Sequence, residues 1–327
     1  MKPASTEWRE IIAPDEPQRF KLYTQQLTQL QSKLSKKFGI GRALHRKQVL
    51  AIRAEFEVLP QLPSFASQGL FKKPGVYQAL VRISNGSMNI QPDRMPDIRG
   101  FSFKVLGVEG TSALGGAAKA QDFLLINREF FGLKNSDEFI GLVMAATEGG
   151  GALIAHFFKR YGFFKGLARL KSALAGMRRP FTGFATEMFY SCVPIACGPY
   201  AARVRMLPAS RKPKPGAEQD WAADLQERLA QDTLSFDIQL QFFVDETTTP
   251  IEDGTVNWEE SEAPYVTVAR LRLPRQSFTS DADRAFQESV ARNTFDPWCA
   301  LAEHRPLGDI MRARKDTYFG SQNNRKS

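Results

Sequence analysis

Seven short runs of β-type residues constrain the fold of this chain more than anything else in its sequence. Four follow one another at 48–58, 77–83, 100–106 and 122–126, separated by Gly, Pro, Asn and Asp. Three more lie at 201–207, 234–244 and 265–273. Helices are predicted around them. Residues 16–38 carry Leu22, Leu27, Leu30 and Leu34 near helical spacing, and Gly39 follows as a stop. Residues 136–147, 151–176 and 220–232 also read as helices, and 208–216 (Pro-Ala-Ser-Arg-Lys-Pro-Lys-Pro-Gly) as a surface loop. From Asp283 onward the chain is mostly helical, with a break at Asp296-Pro297-Trp298. The pattern predicts an α+β fold, a substantial antiparallel β unit with helices packed outside it. No internal repeat or low-complexity tract interrupts it.

Composition excludes several classes. Of 327 residues 43% are hydrophobic and 24% charged, which rules out a disordered, collagen-like or disulfide-stapled chain. No apolar run reaches the ~18 residues of a transmembrane helix. The charged start of the chain has no apolar h-region, so no signal peptide is expected. Cys192, Cys197 and Cys299 are odd in number and form no C-x-x-C, which indicates neither a disulfide framework nor a zinc ribbon. A reducing cytoplasm is the expected compartment.

The net charge of +9 is unevenly spread. Residues 216–264 hold 13 Asp and Glu against one Arg, Arg228. Residues 149–186 hold no acid, but carry Lys159, Arg160, Lys165, Arg169, Lys171, Arg178 and Arg179 interleaved with Phe157, Phe158, Phe163, Phe164, Phe181 and Phe184. Three readings compete for this stretch: a membrane-surface helix, an entrance for anionic substrates, or a solvated helix whose aromatics are core. Nucleic acid is not an expected partner, because no recognition motif is present and the acidic segment would oppose a phosphate backbone.

Among reactive residues the histidines are scarcest: His45, His156 and His304. A histidine standing alone is more often structural than catalytic, but His45 has company. It lies in Gly41-Arg42-Ala43-Leu44-His45-Arg46-Lys47. Then come Arg82-Ile83-Ser84-Asn85-Gly86-Ser87, Pro96-Asp97-Ile98-Arg99-Gly100-Phe101, Asp122 to Asn127, Phe130-Phe131 and Phe139. The block from Pro297-Trp298 to Leu307-Gly308 and then Arg314-Lys315-Asp316-Thr317-Tyr318 close the series. This ordered series, spanning 42 to 318, resembles the haem catalases and, more closely, the short catalase-related proteins. The latter include peroxidases and the fatty-acid hydroperoxide-converting allene oxide synthases.

The resemblance implies a single catalase-like haem domain over 1–327. It would comprise an antiparallel β-barrel core, surrounding helices and a pocket for haem b. An N-terminal helical arm would span 1–40, a basic aromatic helical insertion 149–186, and a C-terminal helical segment 283–327. Tyr318 aligns with the proximal tyrosine, whose phenolate binds the haem iron. A free phenol ionises only near pH ~10, and Arg314, four residues earlier, is placed to hold it ionised. His45 aligns with the distal histidine, which moves a proton between the two peroxide oxygens. Asn127 aligns with the distal amide and Ser84 with the hydroxyl that fixes the histidine's tautomer. Phe139 aligns with an aromatic that covers the distal face. Arg42, Arg99 and Arg325 align with propionate-binding arginines. His156, His304 and the cysteines receive no role.

The sequence also departs from the pattern. Gln48 stands where catalases usually carry glycine. Leu44 stands where they commonly have valine, and where allene oxide synthases have a threonine that tunes the histidine. The chain ends nine residues after Tyr318, so the terminal helical domain of the large catalases is not expected. The resemblance therefore implies first a haem peroxidase acting on a small hydroperoxide with an electron donor. The second implication is a hydroperoxide-converting enzyme of allene oxide synthase or lyase type, and the third a haem-binding protein without turnover. Small relatives are often dimers, so the resemblance allows a homodimer without fixing the oligomeric state, and it allows peripheral membrane or fatty-acid contact through 149–186.

Overall fold

The structure, a computed structural model, describes residues 2–177 and 179–326. Helix α1 (Glu16–Phe38) leads into strands β1 (Gln48–Val58), β2 (Gly75–Asn85), β3 (Arg99–Leu106) and β4 (Ala120–Ile126). Helices α2 (Ser136–Glu148) and α3 (Gly150–Met177) follow, then the short strands β5 (Phe189–Tyr190) and β6 (Ile195–Cys197) and the longer β7 (Tyr200–Pro208). Helix α4 (Trp221–Gln231), β8 (Leu234–Phe242), β9 (Tyr265–Leu273), α5 (Asp281–Arg292) and α6 (Asp309–Asn324) complete the order. The pairing runs β5-β4-β3-β2-β1-β9-β8-β7, and β5 pairs back onto β7. Eight antiparallel strands therefore close into a barrel, which leaves no long open edge. β6 is a hairpin arm on β7. The α+β class expected from the sequence and the barrel implied by the resemblance are both present.

Aromatic side chains fill the barrel. Phe56 of β1 stacks on Phe103 of β3 at 5.8 Å and on Phe123 of β4 at 6.1 Å, all three fully or nearly buried. Phe236, Ile238 and Leu240 of β8 alternate inward to meet them. A second apolar cluster lies outside, where α1, α2 and α6 pack together through Phe20, Tyr23, Leu27, Leu30, Ile140, Val143 and Ala313. The inner face of α1 runs through Tyr23, Leu27 and Leu30, so Leu22, expected on that stripe, is out of phase and exposed.

Two strands went unpredicted. β5 and β6 have two and three residues, too few to carry a period-two pattern, yet β5 closes the barrel. The expected helix at 151–176 is bent at Gly162 (φ 73°, ψ 176°). Within the basic stretch, Phe157 and Phe184 are buried while Phe163 and Phe164 are exposed, and Arg178 lies outside the described residues. No helix among the described residues is long and apolar enough to cross a membrane.

Candidate active site

The segment from Gly39 to Lys47 is folded back on itself by Arg46, whose guanidinium donates to the carbonyls of Arg42 and Gly39. That fold places His45 at φ 50°, a left-handed conformation costly for a residue with a side chain. The end of β2 holds it there from both sides. His45 N–H donates to the Gly86 carbonyl at 3.0 Å, and its own carbonyl accepts from Arg82 Nη2 at 2.8 Å. Its ring is fixed as well, with Nδ1 3.0 Å from Ser84 Oγ. Burial, then the charges of Arg82, Arg314 and Arg42, push the imidazole down to about 3, so it is neutral at ordinary pH. Its Nε2 has no partner among the described residues. Asn127 follows Ile126, which pairs with Gly100 of β3, itself opposite Ser84 on β2. Its Oδ1 accepts from the Arg99 backbone N–H at 2.7 Å, which leaves Nδ2 as a donor without a partner among the described residues.

Tyr318 lies on α6, one turn after Arg314, whose Nη2 donates to the phenolic oxygen at 2.7 Å. Around it gather Arg42, Arg82 and Arg325. Burial, then Arg82 and Arg325, bring Arg42 down to about 8, while Tyr318 pulls the other way. Burial, then Arg325, brings Arg82 down to about 10. Burial also lowers Arg325. Among the described residues no carboxylate acts on any of the three. Arg42 donates to the Ala291 and Asn293 carbonyls at the end of α5. The Nε atoms of Arg82 and Arg325 are buried without a partner among the described residues. Mutually repelling guanidiniums with unmet donors are what an anion carrying more than one acidic group requires.

The support is continuous. Gln31, buried on α1, donates through Nε2 to the Gly41 carbonyl (2.8 Å) and the Ser321 carbonyl (3.1 Å). One amide thus ties the His45 segment to the Tyr318 helix. Behind α6, Gln322 donates to Asp296 Oδ2 at 2.6 Å, and the Asp296 N–H donates to Asp122 of β4, itself paired with Lys104 of β3 at 2.5 Å. Phe139 packs into the α1–α2–α6 cluster together with Leu44, and its ring is 5.4 Å from that of Phe131.

His45, Ser84, Arg42, Arg314, Tyr318 and Arg325 therefore converge, while Asn127 is placed only by the strand register, beyond Gly100 from Ser84. Arg99, expected among the anion-binding arginines, does not join them. Its Nη1 donates to Asn85 and its Nη2 to the carbonyls of Asp93 (2.6 Å) and Met95 (2.8 Å), and its guanidinium lies over the Phe181 ring. That correction has a physical reason, since Arg99 braces the 85–95 turn. Arg82 takes the place in the cluster, and the sequence held the signal: it is two residues before Ser84 on β2, so strand alternation presents both on one face. Gly100 and Gln31 were also missed. His304 accepts from the Leu70 N–H at 2.9 Å in the core, and His156 packs where a Cβ on Gly141 of α2 would come within 2.9 Å of its Cε1. Cys192, Cys197 and Cys299 are free thiols. Among the described residues no three His, Cys, Asp or Glu converge as a metal site.

No family model matches this chain, and no curated protein matches it in sequence. Solved structures do. A fungal catalase matches 99% of the chain at 15% identity with a TM-score of 0.67, and a bacterial catalase the same share and identity with 0.63. Catalase A from Saccharomyces cerevisiae matches 99% at 15% identity with 0.68. The chain spans 65%, 63% and 67% of these proteins respectively, about two thirds of their length. What it shares with them, from one end to the other, is the catalase fold.

Proposed function

We propose that this chain is a haem-dependent peroxidase that cleaves hydrogen peroxide or an organic hydroperoxide heterolytically. The observation that carries the reading is the pairing of two half-sites on one fold. One is a neutral histidine locked by Ser84 with its far nitrogen unpartnered, and the other a tyrosine bonded to Arg314 amid arginines that lack an acid. The second half-site fits haem, since Arg42, Arg82 and Arg325 match the two propionates and Tyr318 offers an oxygen ligand suited to ferric iron. When bound, haem supplies the redox-active iron at which the O–O bond is broken.

The chain's own groups do the rest. In the tautomer that donates Nδ1–H to Ser84 Oγ, His45 presents the Nε2 lone pair and takes the proton from the inner peroxide oxygen. It returns that proton to the outer oxygen, which leaves as water or as an alcohol. Asn127 Nδ2 donates to the peroxide and, being an amide, does not compete for its proton. An organic donor then restores the resting state. Leu44 packs among apolar side chains and offers His45 no hydroxyl, which favours this reading over an allene oxide synthase.

The test is the absorption spectrum of the haem-reconstituted chain beside Tyr318→Phe and His45→Ala. A high-spin ferric spectrum lost in Tyr318→Phe, with peroxide consumption lost but haem kept in His45→Ala, is the expected result. Stoichiometric haem with a spectrum indifferent to Tyr318 overturns the assignment.

A further inference from the structure

Helix α3 is anchored on one side and unpartnered on the other. Phe157 is buried, Arg160 pairs with Asp137 of α2 at 2.7 Å, and Arg169 donates to the Gly132 carbonyl. These contacts hold the helix to the body. At its bend the chain turns the other way. Left-handed Gly162 folds Phe163 back onto Phe158, stacked at 5.4 Å, and Phe164 meets Phe163 edge-on at 5.5 Å. This aromatic knot faces solvent, with Phe163 66% and Phe164 85% exposed. Ile154 and Leu174 are exposed on the same helix. Lys159, Lys165 and Lys171 are exposed beside them, without an ion pair among the described residues, and no acid lies anywhere in 149–186.

We propose that this face of α3 docks on an anionic lipid bilayer, with Phe163 and Phe164 inserted at the headgroup boundary and the three lysines on the acidic headgroups. Two features select a bilayer over a protein partner. Phenylalanines projecting from a bend insert readily into a bilayer, which yields to any shape. The cations on this exposed face are lysines, strongly hydrated point charges that suit a diffuse negative surface rather than bidentate recognition. A second copy meeting the same face would set lysines against lysines. This reading does not depend on haem.

The experiment is co-flotation of the full chain with vesicles of phosphatidylcholine, alone or containing a quarter phosphatidylglycerol. The chain is expected to float with the anionic vesicles and not with the neutral ones, and about 0.5 M NaCl should release it by screening. Lys159→Gln/Lys165→Gln/Lys171→Gln should weaken binding by about a hundredfold, at roughly fivefold for each lysine charge lost near the surface. Phe163→Ser/Phe164→Ser should lose binding while the far-ultraviolet circular dichroism is unchanged, because neither ring supports the core. Absence of flotation with either vesicle overturns the proposal, as does binding that neither set of substitutions reduces. A concentration-dependent dimer that Phe163→Ser/Phe164→Ser dissolves, without flotation of the wild type, assigns the face to a second copy and overturns it too.

Discussion

Gly100 leaves the space that His45 occupies. A Cβ at position 100 would fall 2.6 Å from His45 Nδ1 and 2.7 Å from Ser84 Oγ, closer than packed atoms tolerate. The hydrogen bond between ring and hydroxyl therefore runs directly across a bare backbone, and the glycine is part of how the tautomer is held. Gly100 is not left-handed, so the requirement here is closeness and not conformation.

Gly100→Ala should consequently separate haem binding from peroxide chemistry. The methyl must displace the imidazole or the serine, while the arginines and Tyr318 stand on other elements. Reconstituted Gly100→Ala should keep its haem spectrum and lose about a hundredfold in the rate of peroxide cleavage, the cost of a misplaced catalytic group. Stopped-flow measurement of the first peroxide step reads this directly. An unchanged rate would show that His45 does not act through its present orientation.

Arg325 makes a contrasting prediction. Its guanidinium forms no hydrogen bond among the described residues, its Nε is buried, and burial already disfavours its charge. Arg325→Leu should leave the haem-free chain as stable as the wild type, or slightly more so, because a desolvated cation is removed from a like-charged cluster. The same change should raise the haem dissociation constant by about tenfold or more, the loss of one charge-assisted contact. Thermal unfolding without haem and haem transfer to an acceptor protein are the two measurements. A less stable haem-free chain with unaltered haem retention would make Arg325 a structural residue.

Why some of this was legible and some was not follows from how each residue works. Strands such as β1 and β9 are long enough to alternate, and α1 ends at a glycine, so their limits can be read from the sequence. His45, Ser84 and Tyr318 stood in recognisable local strings, and the barrel brings those strings together. β5 was invisible because two residues have no period, although the closed barrel depends on them. Arg99 was misassigned because a local string gives a residue's neighbours but not what its side chain meets, whereas Arg82 was overlooked although its place two residues before Ser84 puts both on one strand face. Gln31 carried no signal at all, since a single glutamine on a polar helix stands out only once its two carbonyl partners are known.

Gln31 is accordingly the sharpest test of the packing. Its amide joins the Gly41 carbonyl to that of Ser321, 280 positions apart in sequence, and its side chain is almost fully buried. Gln31→Leu preserves bulk but strands two acceptors, at a cost of roughly 1–3 kcal/mol. The variant should unfold at a lower denaturant concentration with the same dependence on denaturant. It should also bind haem more weakly, because the His45 segment and α6 lose their common tie. Wild-type stability in this variant would mean the two segments are held by other contacts alone.

The last prediction concerns acid. His304 is fully buried, its Nε2 accepting from Leu70, and burial brings it down to about 4 from an ordinary 6.5. Between those values the unfolded chain binds a proton that the folded chain refuses. The histidine's contribution is therefore complete above pH 6.5, shrinks as the pH falls, and is exhausted near 4. The span corresponds to about 3 kcal/mol. Asp122 works in the opposite sense. Burial raises it against the pull of Lys104, so it takes up its proton at a higher pH in the folded chain than in the unfolded one. The wild-type profile alone mixes both groups, and the informative quantity is a difference. Wild type and His304→Gln, compared by thermal unfolding from pH 7.5 to 4, should differ by a gap that changes steadily below pH 6.5, the wild type losing more. Parallel profiles across that range would mean that His304 is protonated in the folded chain as readily as in the unfolded one.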